Sequence, residues 1–192
     1  MDLTSVFTAF GLSGAAGLNA WLPLFAGALL ERLDAVDLAA PFDELSSTGW
    51  LVTLGILTIA DFVGDKIPAV DHVLHALGTV IAPLSGAALF AGQTGADTDI
   101  PTVVAAIAGG ATAEAVHAGR SVLRPASTAT TGGLGNPFLS LLEDLGSGVL
   151  TVFAFVVPVL ATVVVIALVA GLVILWRRAR RPTPRPHART GS

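Results

Sequence analysis

Apolar residues run in long blocks along this chain, and polar positions collect in the gaps between them. The longest block is Leu145–Trp176, with no charged residue between Asp144 and Arg177. A helix that crosses the ~30 Å hydrocarbon core needs about 20 mostly apolar residues. This block therefore predicts a span that tilts, bends at Pro158 or protrudes. Leu3–Leu30 is a second block. Gly11, Ser13, Gly14, Ala15, Ala16 and Gly17 interrupt it, followed by Asn19 and Pro23, a pattern that predicts a broken or closely packed helix. Trp50–Val63 and Val70–Ala91 form a pair joined by Gly64, Asp65, Lys66, Ile67 and Pro68. Thr102–Ala118 is a fifth block, with Gly109 and Gly110 at its middle. The expected fold is all-α: a polytopic helical membrane protein with five transmembrane helices and one re-entrant or broken segment.

The gaps refine this picture. Glu31–Thr48 reads as an acidic loop with a short amphipathic stretch around Pro41–Leu45, and Gln93–Ile100 as a short polar loop. Arg120–Asp144 is too polar for a plain span, yet nearly free of charge from Ala126 to Leu142. Non-helical backbone at membrane depth persists only where protein or a water-filled cavity satisfies it. The segment is expected to re-enter the membrane as an extended Thr/Gly stretch. A short helix would then start near Asn136 and Pro137, with Asn as the cap and Pro at the first helical position. A weak internal echo links Gly17–Pro23 to Gly133–Leu139, each Gly-rich and then carrying Asn, Pro and bulky apolar residues; Ile81–Gly86 is a looser third copy. Gly/Pro-interrupted segments in opposite halves point to a transporter-like site, although Gly, Ala and Pro are also common in membrane helices.

Composition agrees. The 192 residues are 53% hydrophobic and only 12% charged, with a mean hydropathy of +0.78. A soluble domain carries about 25% charged residues. An ordinary water-soluble enzyme, a disordered chain and a disulfide scaffold are all excluded, the last because there is no cysteine. The start of the chain lacks a basic segment or cleavage site, so the first apolar block is expected to be a retained span. The net charge is −4, yet six arginines lie between Arg177 and Arg189 and all fourteen acids precede them. One helical domain is expected over 1–176, followed by a basic, Pro-rich disordered tail over 177–192 beside anionic lipid headgroups. The positive-inside rule makes that tail cytoplasmic. Five crossings would then leave Lys66, Arg120 and Arg124 outside; a sixth crossing by Ala126–Leu142 would bring them in.

Polar residues that could carry chemistry are few. Asp61, Asp65, Lys66, Asp71, His72 and His75 crowd one helix–turn–helix junction. Asp71 and His75 are four apart, His72 and His75 three apart, and Glu114 and His117 three apart, so each pair shares a helix face. Three readings stay open. The charges could simply solvate and cap the turn. Asp61, Asp71, Glu114 and the histidines could face a polar cavity and handle protons or cations. Asp71, His75, Glu114 and His117 could be metal ligands. Arg120 and Arg124 precede the hydroxyls of Ser127, Thr128, Thr130 and Thr131, a combination suited to phosphate or carboxylate; Glu143 could instead neutralise Arg124. No hydrolase elbow, zinc-protease motif or phosphate loop is present.

Two strings carry a resemblance: Asp65-Lys66-Ile67-Pro68-Ala69-Val70-Asp71, and above all Arg124 to Pro137, with its Thr130-Thr131-Gly132-Gly133-Leu134-Gly135-Asn136-Pro137 run. Gly17-Leu18-Asn19-Ala20 is a third patch. Over roughly Leu3 to Pro158 the chain resembles a bacterial integral-membrane family catalogued as domain-of-unknown-function family 4126. The resemblance implies a small helical membrane protein of prokaryotes and assigns no activity.

The leading expectation is a small-solute or ion transporter or channel in the bacterial plasma membrane. Its binding residues would be Asn19, Asp71, Glu114, Arg124, Thr130, Thr131, Gly132, Gly133, Gly135 and Asn136. Thr130, Thr131 and the glycine backbone would coordinate the solute, Asp71 or Glu114 would take a proton or cation, and Arg124 would hold an anionic group. The alternative is a non-transporting scaffold or lipid- or partner-binding factor, with Ser13, Gly17, Gly109 and Gly110 as packing faces; an enzyme acting on lipid headgroups ranks third. Expected partners are the bilayer, anionic headgroups, a small solute or ion and, as an option, a second copy of the chain. Neither nucleic acid nor a cofactor is expected.

Overall fold

The computed structural model describes residues 3–95, 98–132 and 134–179; for 68–69, 71–72, 122–126, 176 and 178–179 it describes the backbone alone. The described chain is all-helical, with no strand among the described residues. Seven α-helices follow one another: α1 Leu3–Leu18, α2 Trp21–Arg32, α3 Thr48–Gly64, α4 Pro68–Gly95, α5 Thr102–Thr131, α6 Asn136–Val156 and α7 Pro158–Ala179. A 3₁₀ turn over Phe42–Ser46 sits in the acidic loop, close to the expected amphipathic stretch.

One expectation holds and two change. The first block breaks at Asn19 into α1 and α2, as its Gly/Asn/Pro content suggested. The last block is two helices, because Pro158 lacks the N–H that would continue the backbone ladder. The expected extended stretch is instead helical: α5 runs on through Arg120 and the threonines to Thr131, where Gly132, at φ 63°, caps it in the left-handed region. The Thr hydroxyls explain this, since Thr130 and Thr131 both donate to the carbonyl of Ser127 and bind to their own helix (3.1 and 2.7 Å). The helix expected at Asn136 is α6, with Gly135 as its cap and Pro137 in its first turn. Of the seven, Val73–Gly95 in α4, Asn136–Val156 and Pro158–Leu175 are long and apolar enough to cross a membrane; α1 and α3 are apolar but shorter. Residues 180–192, most of the expected tail, lie outside the described residues, and α7 extends past the expected boundary at 176.

The packing is that of a membrane-embedded protein. Ser13, Asn19, Thr94, Ser140 and Ser147 are buried, whereas Ile59, Val103, Ile107, Leu142 and Val156 are exposed. In water this arrangement would be costly; in lipid it puts apolar side chains against acyl chains and lets polar ones bond inside. Helix α1 is the axle, packing against α2, α4, α5, α6 and α7. Its small face lets neighbours approach closely: a Cβ at Gly11 would lie 2.8 Å from those of Ala154 and Ala161, and one at Gly17 would lie 2.5 Å from that of Val116. Hydroxyl-to-carbonyl bonds then lock it to three helices: Ser13 to Gly86 (3.0 Å), Ser147 to Ala15 (3.0 Å) and Thr162 to Phe7 (2.9 Å). The packing faces expected at Ser13, Gly17 and Gly109 are thus used within the chain.

The helices alternate in direction. At one end, Lys66 meets Asp144, Arg120 meets Glu143, and Leu172 lies against Gly119. At the other, Ala39 donates to the carbonyl of Gly92, Phe42 lies against Gly92, and Phe10 stacks edge-on to Phe90. Lys66, Arg120, Arg124 and Arg177 consequently share one end by position, and Glu31, Asp34, Asp37, Asp43, Glu44 and Asp99 share the other with Arg32. The split of the last block at Pro158 into α6 and α7 brings Lys66 and Arg120 to the side of Arg177; the added crossing is α6, which takes in 136–142 of the segment expected to cross.

Helices α4 and α5 cross where Gly86 faces Gly109: a Cβ on Gly86 would sit 2.6 Å from the Gly109 carbonyl oxygen, and one on Gly109 would overlap that of Gly86. Gly109→Ala should lower stability by about 1–3 kcal/mol. Gly148→Ala, whose new Cβ meets nothing within 4 Å, should be neutral or stabilising by up to about 1 kcal/mol. Unfolding titrations with SDS in mixed micelles compare the two.

Candidate functional site

The most polar interior region lies where the α1–α2 and α3–α4 junctions face the first half of α6. Asn19, at the α1–α2 break, is 2% exposed and uses every part of its amide. Its Oδ1 accepts the Trp21 and Leu22 N–H groups (3.1 Å each), satisfying two donors at the start of α2. Its Nδ2 donates to Asp61 Oδ2 and to Asp144 Oδ1, each at 2.9 Å. Its own N–H completes the α1 ladder to Ala15 (3.0 Å). One side chain thus ties α1, α2, α3 and α6 together.

The carboxylates come from the end of α3 and the first half of α6. Oxygens of Asp61, Asp65 and Asp144 all lie within 4.8 Å of one another. Asp65 accepts from Ser140 Oγ at 2.5 Å. Lys66 Nζ lies 3.2 Å from Asp144 Oδ2 and 3.8 Å from the centroid of the Phe62 ring. Among these six residues three carboxylates face one ammonium. A second buried pair stands beside them: Arg120 Nη2 to Glu143 Oε2 at 2.7 Å, 13% and 7% exposed. Glu143 meets Arg120; the side chain of Arg124, its suggested partner, lies outside the described residues.

A cavity of about 130 Å³ adjoins the cluster. Asp61, Asp65, His75, His117 and Arg120 supply its polar lining, and Trp21 and Leu74 are among its apolar walls. The His75 and His117 rings stack at 5.1 Å, and His75 Nε2 is 3.1 Å from Ser121 Oγ. Gly78 makes room for this pair, since a Cβ there would lie 2.6 Å from His117 Cε1. The site is recessed. From Arg120 to the end of α5, and from the start of α6 to Asp144, the chain rises about 12–16 Å at ~1.5 Å per residue.

The expected binding residues scatter. Asn19 is central, and His75 and His117 are together on the cavity wall. Glu114 is half-buried on α5, one turn before His117. Thr130, Thr131, Gly132, Gly135 and Asn136 form the α5–α6 tip, where Gly135 N–H donates to Thr131 Oγ1 (3.0 Å) and Asn136 Nδ2 to Thr128 Oγ1 (3.1 Å). Gly133 and the side chains of Asp71 and Arg124 lie outside the described residues. Among the described residues the acidic group with converging oxygens is Asp61, Asp65 and Asp144, none of them in the expected metal set of Asp71, His75, Glu114 and His117.

Asp65 and Lys66 belong to the polar junction noted in the sequence, whereas Ser140, Glu143 and Asp144 join the site without having been singled out for it. Asp144 and Glu143 were legible in principle: two acids eight residues into an apolar helix are expensive and need a reason. Placing the start of the last span at Leu145 hid them.

Removing one partner of a buried ion pair strands the other charge. Arg120→Met should destabilise by about 3–5 kcal/mol, and adding Glu143→Leu should recover most of the loss. A double-mutant cycle read by SDS unfolding checks this, and strictly additive losses would refute the coupling.

A family model described as domain of unknown function (DUF4126) matches residues 6–178. No curated protein and no solved structure matches the chain.

Proposed function

We propose that this chain, which belongs to the DUF4126 family, is a membrane transporter or channel for a small solute or ion, with the recessed cavity as its binding site. The observation that carries this reading is the convergence of Asn19, Asp61, Asp65 and Asp144, from two helix junctions and the first half of α6, beside a cavity lined by Asp61 and Asp65. Interrupted helices that meet at a polar site away from the helix ends are the usual architecture of transporter binding sites. A membrane protein that only packs has no use for three carboxylates in its interior. Buried charge is tolerated only when it is paired; Lys66 and Arg120 supply positive charge beside the cluster, and a proton or cation taken up from solution would join them there. Asn19 holds the carboxylates at fixed distances, and loading or unloading the cluster changes the attraction between α3 and α6. The tip residues Thr130, Thr131, Gly132, Gly135 and Asn136, together with Arg124, would stand at the rim through which solute enters, and Glu114 would lie beside the histidine wall.

The charge distribution supports an orientation. The basic end, with Lys66, Arg120, Arg124 and the arginines from Arg177 onward, is cytoplasmic by the positive-inside rule, and the acidic Glu31–Thr48 loop faces the other side. The membrane is the bacterial plasma membrane, and the tail is free to meet anionic headgroups.

In vesicles loaded with a pH-sensitive or sodium-sensitive dye, the protein should raise proton or sodium flux. Asp61→Asn should cut that flux at least tenfold while the protein still inserts. Absence of flux with either probe, or an unaffected Asp61→Asn variant, would overturn the reading. Single cysteines report orientation directly in this cysteine-free chain: Leu134→Cys should react with an impermeant maleimide only from the cytoplasmic side, and Ser47→Cys only from the opposite side.

A further inference from the structure

A second opening reaches the carboxylates from a different direction. A groove of about 510 Å³ runs between α2, α3 and α6, lined by Leu22, Phe62, Gly148, Val149 and Val152, with Asp144 at its polar end. Val149 and Val152 are exposed, so the groove opens onto the apolar outer surface. Gly148 leaves its floor clear, since a Cβ there would touch nothing within 4 Å.

The polar end already holds an ammonium. Lys66 Nζ is clasped between Asp144 Oδ2 at 3.2 Å and the face of Phe62 at 3.8 Å. A carboxylate beside an aromatic face is the arrangement that recognises organic cations. Lys66 arrives on a flexible stem and is 32% exposed, so it can swing out to water. Asp144 and Phe62, by contrast, are wall residues of the groove.

We propose that the groove binds an amphipathic organic cation: a single-chain alkylammonium whose apolar tail lies along α6 while its head replaces Lys66 between Asp144 and Phe62. Charge complementarity selects the head, because Asp61 and Asp65 stand within 4.8 Å of Asp144 and add negative potential. The same potential rejects carboxylates and phosphates. The apolar walls select the tail, which a bare inorganic cation lacks. This inference rests on the reading of the cluster as a substrate site and names the substrate's class.

The test uses the full chain in phosphatidylcholine nanodiscs, with hexylammonium, hexanol and hexanoate as probes against empty nanodiscs. Hexylammonium should raise the thermal unfolding midpoint and bind at least tenfold more tightly than hexanol, and hexanoate should produce no shift. Gly148→Leu, which fills the groove without a clash at its Cβ, should weaken hexylammonium binding at least tenfold. Phe62→Leu should weaken it severalfold. Equal binding of hexylammonium and hexanol would mean that the groove takes any acyl chain, and would overturn the proposal. So would unchanged binding in a folded Gly148→Leu variant. The two readings fail separately. Hexylammonium that binds but never crosses vesicles would remove transport and keep the ligand site. Proton or sodium flux that depends on Asp61, without hexylammonium binding, would remove this inference and keep the transporter.

Discussion

A single amide, that of Asn19, holds together the parts of this protein that would otherwise repel or unravel. Its oxygen closes the open start of α2, and its nitrogen donates a hydrogen bond to each of Asp61 and Asp144. Both tasks matter more in a membrane than in water, because an unpaired backbone donor or carboxylate finds no solvent to bond with. The break in the first apolar block is therefore a structural hinge point on which the polar interior is built. It lets the chain turn back after α1, brings the end of α3 alongside the start of α6, and creates a polar centre where each helix contributes an end or an early turn.

Around that centre the usual order of a globule is reversed. Hydroxyls and small residues fill the inside, and branched aliphatics cover the outside. The interior gains cohesion from close backbone approach at Gly17, Gly86 and Gly109 and from hydroxyl-to-carbonyl bonds between helices, not from apolar transfer out of water, which vanishes once the surroundings are lipid. This explains why α1, short for a membrane span, is viable: it is enclosed by neighbours and has little need to match the bilayer.

Much of the fold could be read from residues. Long apolar blocks gave the helices, and Asn19, Pro158 and the Asn136–Pro137 pair marked true boundaries. The threonine run misled, because Thr is a weak helix former whose preference turns on tertiary context; in α5 its hydroxyls bond back to Ser127 and the helix simply continues. The site was half-visible. Asp61, His75 and His117 stood out by spacing and Asn19 by its echo of Asn136. What pattern alone could not supply was distance across the chain: Asn19 and Asp144 are 125 positions apart, and Lys66 and Asp144 are 78. Once helix direction is settled, six acids fall at one end with Arg32, and Lys66, Arg120, Arg124 and Arg177 fall at the other.

The recess of the carboxylate cluster carries an electrical corollary. Positions about 12–16 Å inward from the helix ends lie within the drop of the transmembrane voltage, where moving a full elementary charge across 100 mV is worth about 2.3 kcal/mol. Under the proposed function, an ion that settled beside Asp61 would have traversed part of that field, and its occupancy would follow how energised the cell is.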